Sequence, residues 1–138
     1  MAEPSLVVVV DDDQTLAGLI TDVLEFAGFD SLVFDDPEMA VGQISTIRPA
    51  VVLLDVCISW RERAWQAIVQ LCDDPKTTGI PLVVCTADDG FLREHAADLV
   101  ARGIPYLPKP FEIDTLIDVV AGAARWESGE SAPRKRRH

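Results

Sequence analysis

Five short apolar runs set the plan of this chain. Leu6 to Val10 stops at Asp11, Ser31 to Phe34 at Asp35, Val51 to Leu54 at Asp55 and Leu82 to Cys85 at Thr86, and the proline-rich run "IPYLPKPF" carries Lys109. Between them the apolar residues change period: Leu16, Leu19, Ile20, Val23, Leu24 and Ala27 recur at helical spacing and stop at Gly28. Strand runs without polar alternation are covered on both faces. Five of them, each followed by a helical segment, argue for an α/β fold, a doubly wound five-stranded parallel sheet with helices on both faces.

The remaining helices follow the same reading. A second starts near Pro37 with Asp35 or Asp36 as N-cap, buries Ala40, Val41, Ile44 and Ile47, and is ended by Pro49. Trp65, Ile68, Val69 and Cys72 line a third, which stops before the loop "DDPKTTGIP". The fourth spans about Asp89 to Arg102, with Phe91, Leu92, His95, Leu99 and Val100 inward and Gly103 closing it. Pro105, Pro108 and Pro110 place the fifth strand at a sheet edge, because proline cannot donate to a ladder. The last helix, from about Glu112 to Trp126, buries Ile113, Leu116, Ile117 and Val120. One domain over residues 1–126 is expected, and 127–138, "ESGESAPRKRRH", loses all periodicity and reads as a disordered basic tail.

Composition narrows the class. At 138 residues, 49% hydrophobic and 25% charged, the chain is globular. No apolar run approaches the roughly 18 residues of a membrane span, and no basic residue precedes the first one, so the expected location is cytoplasmic. Cys57, Cys72 and Cys85 sit singly among apolar neighbours, which fits reduced thiols. The net charge of -11 includes a basic cluster from Arg134 to Arg137, either a solvated terminus or a short electrostatic contact. The rest of the chain would repel a nucleic-acid backbone, so direct DNA contact is expected from the tail or a partner alone.

Ligand sites in open α/β sheets lie beyond the carboxyl ends of the strands. There this sequence delivers Asp11, Asp12 and Asp13, then Asp55, then Thr86 and Ala87, then Lys109. Each alone has a plain explanation as a helix cap or a solvated side chain. Together the carboxylates would raise one another's pKa unless a cation neutralised them. Mg²⁺ needs only one or two carboxylates and leaves positions open for a phosphate.

The segments "VVVVDDDQ", "VVLLDV", "LVVCTAD" and "YLPKPF", in this order and at these intervals, resemble the receiver domain of two-component response regulators. The resemblance covers about Leu6 to Ala124, and "DDPKTTGIPLVVCTA" is similar to the family's stretch between the third helix and fourth strand. It implies a single-domain, chemotaxis-regulator-like receiver with the flavodoxin-like strand order 2-1-3-4-5. It also implies a phosphoacceptor, not an enzyme, that assists its own phosphorylation and dephosphorylation. Asp55 would accept the phosphoryl group from a histidine kinase or phosphotransfer protein. Asp12, Asp55 and the backbone carbonyl of Cys57 would hold Mg²⁺ directly, with Asp11 acting through the metal's water and Asp13 left to cap the first helix. Thr86 and Lys109 would bind phosphoryl oxygens, Ala87 would leave a path in, and Pro110 would follow a cis bond. Thr86 and Tyr106 would form the switch, which changes protein contacts and allows dimerisation through the fourth helix, fifth strand and fifth helix. Tyr106 also reads as an ordinary amphipathic edge residue.

One stretch departs from the pattern. Where receivers usually carry Met-Pro and a glycine after the acceptor, this chain has Ile58, Ser59 and Arg63 within "VCISWRER". Trp60, Arg61 and Arg63 would fold over the site, contact a partner or be exposed, and an exposed tryptophan there would mark an interface. The alternative function is therefore an atypical receiver that binds proteins without phosphorylation. A small-substrate phosphohydrolase is disfavoured because Cys57 replaces the second aspartate of a D-x-D pattern. A flavin carrier is disfavoured because "DDDQT" lacks a phosphate-wrapping glycine loop.

Overall fold

The computed structural model describes residues 5–127, without the side chains of the last two. The expected basic tail lies outside the described residues. The elements are β1 (Leu6–Val10), α1 (Gln14–Phe26), β2 (Asp30–Phe34), α2 (Pro37–Ile47), β3 (Val51–Asp55), α3 (Arg61–Asp73), β4 (Leu82–Thr86), α4 (Asp89–Ala101), β5 (Tyr106–Pro108) and α5 (Ile113–Glu127), with one 3₁₀ turn at Ile58–Trp60. The strands form one parallel sheet in the order β2-β1-β3-β4-β5. This is the expected flavodoxin-like order, and β5 is an edge as its prolines require.

Strand alternation explains the unbroken apolar runs. Val7, Val9, Leu53, Val83 and Leu107 pack against Ile20 and Leu24 of α1 and Leu116 and Val120 of α5. Val8, Val10, Val52, Leu54 and Val84 pack on the other face against Ala40 and Ile44 of α2, Ala64 and Ile68 of α3, and Phe91 and Leu99 of α4. A residue on either face of these strands meets a helix. The outer strand β2 is thinly covered, with Leu32 42% and Val33 40% exposed.

The helix ends follow local chemistry. Asp13, Asp36 and Asp88 cap α1, α2 and α4 by accepting the amides of Leu16, Met39 and Phe91. Gly28 and Gly103 take positive φ, and the amides that follow them, Phe29 and Ile104, reach back to the carbonyls of Leu24 and Leu99 at 2.9 Å each. Arg48 turns left-handed before Pro49, where the proline ring disfavours a further helical residue.

Four helix faces differ from the sequence reading, and in α1 it is Leu19 of the apolar repeat that is 59% exposed. In α3 the buried stripe is Ala64, Ala67, Ile68 and Leu71, one step earlier than expected, while Trp65, Val69 and Cys72 are half-buried. That helix starts at Arg61 because Trp60 joins the same stripe. In α4 Val100 is 41% exposed, and in α5 Ile113 is 57% exposed, so neither is core. Val100 stands one residue past the fully buried Leu99, and Ile113 is the first residue of α5. Among the described residues, no helix is long and apolar enough to cross a membrane.

Leu24 is fully buried, whereas Phe26 two residues on is 91% exposed. Leu24→Ala should lower stability in urea unfolding by about 2–5 kcal/mol, and Phe26→Ala should stay within about 0.5 kcal/mol.

Candidate functional site

The carboxyl ends of β1, β3, β4 and β5 meet where the strand order reverses, between β1 and β3. Asp55 closes β3 with only 5% of its surface exposed. Its Oδ1 lies 2.7 Å from Lys109 Nζ. Lys109 is held there from β4, since its amide donates to the Thr86 carbonyl at 2.8 Å, and its bond to Pro110 is cis. Burial alone would lower the lysine pKa, but the Asp55 carboxylate reverses that and holds it above its ordinary value.

Asp11 is fully buried. Its Oδ1 accepts the Asp13 amide at 2.9 Å, and its Oδ2 has no partner. Burial pushes its pKa from 3.8 up to about 6, against the Asp13 amide, and the neighbouring Asp55 charge adds to the rise. Asp12 is exposed, and one of its carboxylate oxygens, one of Asp55 and Cys57 Sγ lie within 4.8 Å of one another. A buried carboxylate oxygen with no protein donor, beside two further acids and a single ammonium, is a donor set that fits a divalent cation.

The other predicted residues are placed around this centre. Thr86 Oγ1 donates to the Val56 carbonyl at 2.5 Å and accepts the Asp88 amide at 2.9 Å, one residue along from Asp55. Ala87 is exposed at the mouth. The Cys57 carbonyl accepts the Trp60 amide at 3.1 Å and keeps a second lone pair, while the Cys57 side chain stands beside the acids. Tyr106 is half-buried against the cluster beneath α2, α3 and α4.

The "SWRER" stretch corrects the sequence reading. Trp60 is neither exposed nor laid across the pocket: it is 5% exposed, and its Nε1 donates to the Asp55 backbone carbonyl at 3.0 Å. Its signal was present, since Trp60, Ala64 and Ile68 recur every four residues. Arg61 makes two bonds to Asp88, at 2.9 and 2.7 Å, and holds that carboxyl below its usual range. This pair ties the start of α3 to the cap of α4, and a Cβ at Gly90 would stand 2.8 Å from Arg61 Nη2. Arg63 pairs with Asp36 and, at 3.4 Å, with Glu38. No local sequence signal links residues 27 apart.

In the metal-free protein Asp11 holds its proton more tightly folded than unfolded. The resulting stabilisation is complete below pH 3.8 and is lost as pH rises through about 6. With a chelator present, Asp11→Asn should therefore gain on the wild type by about 1–3 kcal/mol at pH 7 and by less at pH 5. Urea midpoints at the two pH values check this, and an equal gap at both contradicts it.

Residues 7–121 match the family described as the response regulator receiver domain. The chain is similar to response regulator MprA of Mycobacterium sp. (strain KMS), 30% identical over 94% of this chain and 55% of that protein. It is also similar to DNA-binding response regulator MtrA of Mycobacterium leprae (strain TN), 31% identical over 91% of this chain and 54% of that protein. It thus spans about half the length of the curated relatives it matches. A crystal structure of a sensor protein from Polaromonas sp. JS666 superposes with a TM-score of 0.77 at 24% identity, covering 91% of this chain and 99% of that one, a likeness of fold. The acids at the ends of β1 and β3, the lysine after β5 and the match over residues 7–121 lead to one assignment: this chain belongs to the response regulator receiver domain family of two-component systems.

Proposed function

We propose that Asp55 is the phosphoacceptor of a two-component pathway, receiving its phosphoryl group from a histidine kinase or phosphotransfer protein. The observation that carries this reading is the 2.7 Å contact between Asp55 and Lys109 at the edge where Asp11 and Asp12 also converge. Receiver domains accept phosphoryl groups as a family, which supports it further.

A carboxylate oxygen of Asp55 forms the new O–P bond while the bond from phosphorus to the donor breaks, and the donor leaves with that electron pair. The product is a mixed anhydride carrying about 1.5 to 2 negative charges. Lys109 is already positioned to stay on the phosphoryl oxygens as negative charge develops there. The Thr86 hydroxyl, now spent on the Val56 carbonyl, can turn to another of those oxygens. Asp12 and Asp55, with Asp11 behind them, would hold Mg²⁺, which when bound supplies the charge neutralisation that one ammonium cannot.

The "SWRER" side chains do not compete for this chemistry. Trp60 bonds the Asp55 backbone, Arg61 bonds Asp88 and Arg63 bonds Asp36, so the carboxylate of Asp55 is left to Lys109 and, at 3.8 Å, to the Cys85 thiol. This favours phosphoryl acceptance over a binding module that works without it. Turning Thr86 away from Val56 would loosen the β4 end and move Tyr106 on the neighbouring strand. The output is then altered protein contact, including dimerisation through α4, β5 and α5.

Incubation with Mg²⁺ and acetyl phosphate should add one phosphoryl group by mass spectrometry, and none to Asp55→Asn. Full labelling of that variant would relocate the acceptor, and an unlabelled wild type with both small donor and kinase would favour the binding module.

A further inference from the structure

The acidic corner contains one soft donor among hard ones. Cys57 Sγ stands with a carboxylate oxygen of Asp12 and one of Asp55 in a group whose atoms all lie within 4.8 Å of one another. That sulfur also lies 3.5 Å from Ser59 Oγ, a contact weak enough to be displaced. A second, independent feature points a cation to the same place: Asp11, fully buried, lies against Asp55 with its Oδ2 unpartnered. Lys109 engages Asp55 Oδ1 alone, so the corner keeps an excess of negative donors.

Hard and soft ions read such a donor set differently. Mg²⁺ requires oxygen ligands in a near-octahedral arrangement and gains nothing from a sulfur. Zn²⁺ and Cd²⁺ bind thiolate strongly, accept carboxylate beside it, and complete four-coordination with water when the protein supplies three donors. We propose that Cys57 Sγ, Asp12 and Asp55 form a site for a thiophilic divalent ion of the zinc group, which competes with Mg²⁺ and blocks phosphoryl acceptance. The Cys57 thiol releases its proton to solvent as the sulfur–metal bond forms. The ion then occupies carboxylates that phosphoryl transfer needs, and the receiver answers to metal supply as well as to its kinase. This inference rests on the reading of the corner as a divalent-cation site.

The test uses the reduced, metal-stripped full chain titrated with Cd²⁺, read by the ultraviolet thiolate-to-cadmium charge-transfer band, beside Mg²⁺ titrations by calorimetry. One equivalent of Cd²⁺ should raise the band in the wild type and in Cys72→Ser, and excess Mg²⁺ should suppress it. Removing a group that merely supports a ligand costs about 10–100-fold in metal affinity, so Cys57→Ser should lose the band and bind Cd²⁺ at least about tenfold more weakly. Cys57→Ala should behave alike should the serine variant misfold. A wild type without the band, or a band that survives in Cys57→Ser, overturns the sulfur site. If Mg²⁺ still binds in that case, the cation-site reading stands alone, whereas loss of both signals in the wild type removes that reading too.

Discussion

Asp11 and Asp55 are buried side by side within reach of one ammonium, Lys109. Two desolvated carboxylates against a single positive charge leave a deficit that apolar packing cannot offset, since burial penalises each charge and each charge penalises the other. The raised pKa of Asp11 and its unpartnered oxygen are two expressions of that deficit. A protein shaped only for stability would replace one of the acids. Their presence is explained when a cation, and later a phosphoryl group, belongs to the same corner.

The fold holds this arrangement open from beneath. Parallel strands all present the same end to one edge, so four separated segments of the chain contribute to a single pocket. Lys109 is fixed by its amide bond to the Thr86 carbonyl, and Asp55 by the Trp60 indole on its own carbonyl. The Trp60 contact pins the turn after β3 to the strand end. The Arg61–Asp88 pair closes the opposite side by joining two helix starts. Apart from the lysine, none of these contacts uses the carboxylate oxygens of Asp11, Asp12 or Asp55.

Much of this was legible in the sequence because it is local. Strand runs, the caps Asp13 and Asp36, and the closures at Gly28 and Gly103 depend on neighbours within a turn of helix, and each is found where its pattern places it. The convergence of strand-end residues was legible from topology, since parallel order dictates which ends meet. The rest depends on distance in sequence or on small shifts of angle. The face of α3 turns on Trp60, which looked like loop because no glycine or proline marked where the helix began. Ile113 and Val100 carry apolar side chains at helical spacing, yet Ile113 opens α5 and Val100 stands one residue past the buried Leu99. The ion pairs of Arg61 and Arg63 span 27 residues, and charge alone does not name a partner so remote.

A crystal structure of the Mg²⁺-loaded protein with beryllofluoride, which stands in for a phosphoryl group, addresses the central claim most directly. The account predicts beryllium bonded to an Asp55 carboxylate oxygen, Lys109 Nζ within hydrogen-bond reach of a fluorine, and Thr86 Oγ1 turned from the Val56 carbonyl towards the group. Beryllium bound to a different carboxylate, or absent while Lys109 keeps its contact with Asp55 unchanged, would contradict it.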